Sequence, residues 1–339
     1  MLSIRQINKT LGDFSLSDIS IDISLGDYYV VLGQSGAGKS MLLDVIAGIK
    51  KADSGIIVFR DQDITKQSMS ERKFGIMFQG DSIFPHKTVS ENIAYPLNHL
   101  SKSERQEEVQ KLAKTCGVDN LLSRYSDSLS GGEIQRVVLA RTLAMKPDII
   151  LLDEPMRSLD QHYKFQLQSL LRKLNREGQT FIHVTHDYQL ALALANKLGV
   201  LHQGKLIQSG ETHAVFNHPA NAFIAAFTGV KNYFEIKNAA HQAEVKLSDD
   251  IYLSVPEDLQ NKDKLRIVIA PENVNVSATE VKPHGIVFDL FNDQSGEILV
   301  VQLKTIRLYA LKKTALNFSV GQNVQIQISD YSMTACDTT

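Results

Sequence analysis

The sequence predicts an α/β phosphate-loop unit with a helical subdomain, followed by a small all-β unit. Three observations carry this. An apolar run, Tyr28 to Leu32, enters a glycine-rich loop that opens a helix. A second apolar run, Ile149 to Leu152, delivers two acids, Asp153 and Glu154, at its end. Past Gly229 the pattern changes to short alternating strands with closely spaced turns.

In chain order, residues 1–32 alternate through Ile4, Ile7, Phe14, Leu16, Ile19, Ile21 and Ile23. With Gly12-Asp13 and Gly26-Asp27 as turns they read as antiparallel strands. The loop Gly33-Gln34-Ser35-Gly36-Ala37-Gly38-Lys39-Ser40 fits G-x-x-x-x-G-K-[ST], and the helix behind it runs from Met41 to a stop at Gly48. A triphosphate needs many donors at short range, and glycines let backbone N–H groups approach it. The helix terminus adds partial positive charge. In this pattern Lys39 reaches the β- and γ-phosphates and Ser40 ligates magnesium.

Gly55 to Arg60 and Phe74 to Phe78 read as strands, the latter ending at Gln79, and His86 to about Ser128 as helical. Ser103 and Gln106 form the expected capping box before a stripe of Val109, Leu112, Ala113 and Cys116. Leu129-Ser130-Gly131-Gly132-Glu133-Ile134-Gln135-Arg136 then precedes a helix from Ile134 to Met145. Taken alone, it is an anion-binding terminus without a lysine, or merely a cap.

Paired acids at a buried strand end lie where an open α/β sheet places ligands, so Asp153 is a candidate metal ligand and Glu154 a candidate general base. A helix from about His162 to Arg176 and a strand Phe181 to Val184 lead to His186, a candidate γ-phosphate sensor or a structural histidine. A hairpin over Leu201 to Ile207 and a helix over Ala214 to Phe227 close this unit.

The 339 residues suggest two domains; 43% apolar and 22% charged content are those of ordinary globular protein. The net charge of -2 gives no cationic footprint for nucleic acid. No apolar run approaches the roughly 18 residues of a membrane span, and MLSIRQINKT lacks a signal-peptide core, so a soluble, cytoplasmic protein is expected. Cys116 and Cys336 are too few for a disulfide framework or zinc site, and the ten histidines lack metal-ligand spacing; all but His186 read as ordinary.

Over positions 1–228 these residues resemble the ATP-binding subunits of ABC transporters. Five motifs occur in that family's order: the phosphate loop, Gln79, the signature Leu129 to Arg136, Asp153-Glu154 and the switch histidine His186. Ser82 to His86 resembles the importer subclass. The resemblance implies a head-to-tail homodimer burying two ATP and Mg2+, each ATP between one subunit's loop and the other's Ser130, Gly131, Gly132 and Gln135. Gln79 would touch the magnesium shell and move with a membrane partner, and Ser158-Leu159-Asp160 would cross the interface. Two departures stand out. Leu11 occupies the usual position of an adenine-stacking aromatic, leaving Phe14 as the candidate, and Met156-Arg157 replaces small residues or leucine.

The second unit is expected as a linker, 229–235, and an OB-like regulatory barrel, 236–339. Its strands are Lys246 to Val255, Leu265 to Ile269, Gly285 to Phe291, Glu297 to Leu303 and Asn323 to Ile328. Ile269 to Val274 resembles the hallmark of regulatory domains on importer ATPases, and Ala315 to Met333 resembles the barrel of molybdate and tungstate importers. Ser329, Lys312, Lys313 and Thr314 are candidate oxyanion donors, with a solvated turn at least as good a reading. The implied function is the ATPase of an importer, peripheral on the cytoplasmic face, with two transmembrane permease subunits and an extracytoplasmic solute-binding protein. Its cargo would be molybdate or tungstate, with ferric iron, sulfate, polyamine or sugar as alternatives. A soluble ABC ATPase acting on nucleic acid or the ribosome is the alternative of another class.

Overall fold

A computed structural model describes residues 1–78, 83–157, 159–238, 242–293, 295–313 and 317–336. The chain forms two compact units, Met1–Thr212 and His213–Thr339. The division falls before the expected boundary at 228.

In the first unit, β1 (Leu2–Leu11) and β2 (Phe14–Ile23) form an antiparallel pair around Gly12, whose φ of 58° suits a glycine turn. β3 (Tyr28–Leu32) departs from the expected antiparallel series: it is buried throughout and lies in a second sheet. A strand apolar on both faces belongs in the middle of a covered parallel sheet, not on a half-exposed meander. α1 (Lys39–Ala47) ends at left-handed Gly48. β4 (Ser54–Phe59) and β5 (Gln62–Asp63) complete the first sheet, in order β2-β1-β4-β5.

After α2 (Met69–Arg72) comes β6 (Gly75–Met77), then the helical stretch of α3 (Val89–Ala94) and α4 (Lys102–Cys116). The capping box on α4 is Ser101 with Glu104, not Ser103 with Gln106: Ser101 Oγ accepts from the Glu104 N–H, and a Glu104 carboxylate oxygen accepts from the Ser101 N–H. Ser103 falls inside the first turn, past the cap position that Ser101 occupies with extended backbone. α5 spans Gly131–Ala144 and starts three residues before the expected Ile134, because Ser130 and Glu133 form its capping box.

The second sheet is built by β7 (Ile149–Asp153), β8 (Thr180–Thr185), β9 (Lys197–His202) and β10 (Lys205–Glu211), with α6 (Gln161–Arg176) and α7 (Tyr188–Leu194) between. Its order is β10-β9-β3-β8-β7-β6, parallel except for β10. One core joins the inner faces of β1, β2 and β4 to α1, β3, β7 and β8. The loops after β3, β7 and β8 therefore gather at the carboxyl end of one sheet, where such sheets take ligands.

In the second unit the expected single helix over 214–227 is two, α8 (Thr212–Asn217) and α9 (Ala222–Phe227). Pro219 lies between them, and Asn221 caps α9 by accepting from the Ile224 N–H. β11 (Asn232–Lys237) begins inside the expected linker. Lys246 to Val255 is a hairpin of β12 (Glu244–Ser248) and β13 (Ile251–Ser254).

β14 (Lys264–Ile269), β15 (Val274–Ala278), β16 (Gly285–Asp293), β17 (Gly296–Gln302), β18 (Arg307–Leu311), β19 (Asn323–Ile328) and β20 (Ser332–Ala335) complete the unit. β11, β15, β18 and β20 were not expected. The largest sheet runs β15-β19-β16-β17-β18, and its two outer strands approach each other, so it curls toward closure. Buried Asn232 fastens β11 by donating to Ile269 and Tyr309 carbonyls and accepting from the Tyr309 N–H.

Candidate functional site

The loop after β3 is shaped by its glycines. A Cβ on Gly33 would lie 2.5 Å from the backbone oxygen of Leu201, and Gly38, at φ 101°, packs against Phe14 and Leu16. Lys39 starts α1 and is 7% exposed. Its ammonium donates to the carbonyls of Gly33 (2.9 Å) and Gln34 (3.0 Å), so it is folded over the loop it belongs to. Burial lowers its pKa, and the carboxylates of Glu154 and Asp153 oppose that shift.

β7 carries Asp153 and Glu154 to the same place. Ser40 Oγ donates to Asp153 Oδ1 at 3.2 Å. Burial holds the Asp153 carboxyl above its ordinary range, with the Ser40 hydrogen bond acting the other way and the Glu154 charge adding to it. A neighbouring cation would favour the ionised form. Among the described residues no cluster of three His, Cys, Asp or Glu is placed to hold a metal. The Ser40–Asp153 pair nonetheless offers the hard oxygens that Mg2+ takes alongside phosphate.

Glu154 leaves the strand with φ at 44°, left-handed and strained for a non-glycine residue, and its N–H donates to Val184. That turn aims its carboxylate inward, where it is 10% exposed. Three basic groups face it: His186 Nδ1 at 2.9 Å from Oε1, Lys39 Nζ at 4.0 Å from Oε1, and Arg157 Nε at 3.9 Å from Oε2. Arg157, singled out as a departure, thus sits against the candidate base, while Met156 is buried in the core.

Phe14 borders a hollow of about 470 Å3 with Gln34, Ser35, Gly36 and Ala37. Ser35 also borders a cavity of about 160 Å3 lined by Glu154, Arg157, His183 and His186. Leu11 is exposed and borders neither. The structure therefore brings together Phe14, Gly33 to Ser40, Asp153, Glu154 and His186.

Ser130, Gly131, Gly132 and Gln135 line neither cavity. They form the start of α5, where the Glu133 carboxylate accepts from the Ser130 N–H and hydroxyl, and Gly132 packs so closely on Tyr163 that a Cβ would lie 2.5 Å from its ring. Gln79 and Ser158 lie outside the described residues. So does Thr314 among the oxyanion donors, while Lys312 is paired with Glu297 and Ser329 Oγ donates to the Asn273 carbonyl. Cys116 is a core residue, its thiol pushed up to about 12 by burial.

His183, expected to be ordinary, borders the site unannounced. It is wholly buried on β8, and its Nδ1 lies 2.9 Å from Tyr28 Oη. Burial pushes its pKa down to about 3 and raises that of Tyr28. The signal available was a polar ring in the middle of the apolar run Phe181 to Val184.

The family model for ABC transporters matches residues 16–157. The molybdate/tungstate import ATP-binding protein WtpC of Pyrococcus horikoshii is 37% identical over 285 residues, covering 83% of this chain and 81% of that one. The sulfate/thiosulfate import ATP-binding protein CysA 2 of Shewanella oneidensis is 41% identical over 244 residues, covering 70% and 69%. Among solved structures, an ABC-transporter ATP-binding cassette in its ADP conformation superposes with a TM-score of 0.58 at 28% identity, over 67% of this chain and 98% of that one. A dimeric post-hydrolysis cassette bound to ADP and Pi gives 0.56 at 28% identity, over 62% and 99%.

Proposed function

The chain belongs to the ATP-binding proteins of ABC transporters, and from that premise we propose that it energises the import of molybdate or tungstate. It is an importer ATPase, coupling ATP hydrolysis to transport. The observation that carries the catalytic reading is the convergence of Lys39, Ser40, Asp153, Glu154 and His186 at one sheet edge.

In this reading the loop N–H groups and Lys39 bind the β- and γ-phosphates, and Lys39 exchanges the carbonyls of Gly33 and Gln34 for phosphate oxygens. Ser40 and Asp153 would hold Mg2+, with Gln79 beside them. The ion supplies charge neutralisation on the phosphates. Glu154 takes the proton of the attacking water, and His186 orients that carboxylate and the γ-phosphate. Phe14 packs near the adenine. Ser130, Gly131, Gly132 and Gln135 act on ATP across a homodimer, since in their own chain they line neither cavity by the phosphate loop.

We place the protein on the cytoplasmic face of the membrane with two permease subunits and, through them, a solute-binding protein. Among the described residues no helix is long and apolar enough to cross a membrane. Residues 1–228 act as the ATPase domain and 236–339 as a regulatory one joined through 229–235. An oxyanion bound by the second domain would compete with Glu297 for Lys312 and with the Asn273 carbonyl for the Ser329 hydroxyl.

A second cargo, sulfate or thiosulfate, is favoured by the relatives of that name. Uptake of labelled molybdate and sulfate by cells lacking the gene separates the two. Loss of molybdate uptake, restored by the wild-type chain and not by Lys39→Ala, is expected. Loss confined to sulfate would transfer the cargo assignment.

A further inference from the structure

Two buried side-chain atoms without a hydrogen-bond partner, Glu154 Oε2 and His183 Nε2, belong to residues that border the same 160 Å3 cavity. The other such atoms among the described residues, Arg136 Nε and Arg266 Nε, belong to residues that do not border it. Arg157 Nε, 3.9 Å from Glu154 Oε2, is too distant for a hydrogen bond. A buried donor or acceptor without one costs stability, so two such atoms on residues that border one space call for a common partner.

The Tyr28 contact sets which atom His183 offers. Both residues are fully buried, and the phenol has one proton to place. Donating it to Nδ1 satisfies the hydroxyl and puts the imidazole proton on Nε2; the other tautomer would strand the phenolic proton in an apolar core. His183 Nε2 is therefore a donor, and Glu154 Oε2 an acceptor. A water needs roughly 30 Å3 and two to four polar partners, and this cavity has room for several.

We propose that His183 is a positioning residue for Glu154: its Nε2–H anchors a water that donates to Glu154 Oε2, fixing the carboxylate while Oε1 faces His186. The inference deepens the reading of Glu154 as general base and rests on it. A residue that merely filled the core here would be apolar. The Tyr28–His183 pair spends two polar groups to present one donor to the cavity beside the base.

The test uses the full chain and steady-state ATPase kinetics. In the double variant His183→Phe, Tyr28→Phe, an aromatic ring is kept at both positions and no phenol is stranded. We expect kcat to fall about tenfold, the loss of one hydrogen bond to a charged group, with KM for ATP unchanged. His183→Gln, which restores a donor, recovers most of that rate. Wild-type kcat in the phenylalanine pair, or an equal loss in His183→Gln, overturns the proposal. Should the double variant melt early, Tyr28→Phe alone carries the test: it frees the tautomer, so kcat falls at constant KM, and an unchanged kcat overturns the proposal. Glu154→Gln assayed alongside separates the failures. If that variant turns over, the base assignment is wrong; if it is inactive while the phenylalanine pair is normal, only the role of His183 falls.

Discussion

His186 Nδ1 lies 2.9 Å from Glu154 Oε1, across the ends of two adjacent parallel strands. β7 ends in the acids and β8 in the histidine, so the contact follows from sheet register. His186→Ala should lower kcat by about 100-fold, the scale of one positioned proton-handling group, while ATP still binds. Single-turnover hydrolysis and nucleotide titration of the same variant check both halves.

Lys39→Ala removes the ammonium that now caps the loop carbonyls of Gly33 and Gln34. It should weaken ATP binding by about 10- to 100-fold, the worth of a charge-assisted hydrogen bond or two. Calorimetric titration with a non-hydrolysable ATP analogue measures this.

Gly33→Ala places a methyl 2.5 Å from the Leu201 carbonyl, a backbone atom of the neighbouring strand that cannot swing aside. It should cost about 1–3 kcal/mol, as overpacking does, and deform the loop as well. A lowered melting temperature together with lost nucleotide binding is the expected result; Gly36→Ala has open space at its Cβ and differs by strain alone.

His183 supplies a pH signature. Its folded pKa, about 3, lies below the ordinary 6.5. The unfolded chain therefore binds the extra proton first, and the stability gained from a neutral His183 is present above pH 6.5 and lost as pH falls toward 3. Within that window the slope from this group approaches about 1.4 kcal/mol per pH unit. In His183→Phe, Tyr28→Phe the denaturant midpoint of the first unit should fall less between pH 7 and pH 5 than it does in the wild type.

The phosphate loop and the acids of β7 were legible because their chemistry demands residue types at fixed spacing: Gly33, Gly38, Lys39 and Ser40 cannot be exchanged freely. Capping was harder to read, since Ser101 and Ser103 both precede α4 and only backbone geometry selects the first. β11 was hidden inside what read as a linker, because its single buried anchor, Asn232, is polar. Short strands such as β15 and β18 carry too few alternating residues to stand out. His183 was missed because its meaning depends on Tyr28, distant in sequence and brought beside it by the pairing of β3 with β8. Arg157 was noticed as unusual, but its place against Glu154 depends on the strained turn after β7.

In the proposed function, Glu154 drives hydrolysis in a site completed by a second copy of the chain. The most direct measurement follows Glu154→Gln by size-exclusion chromatography with ATP and Mg2+, together with phosphate release. A stable ATP-bound dimer that releases no phosphate, and dissociates when the nucleotide is removed, is the expected result. A monomer under saturating ATP would contradict the shared site, and wild-type phosphate release would contradict Glu154 as the base.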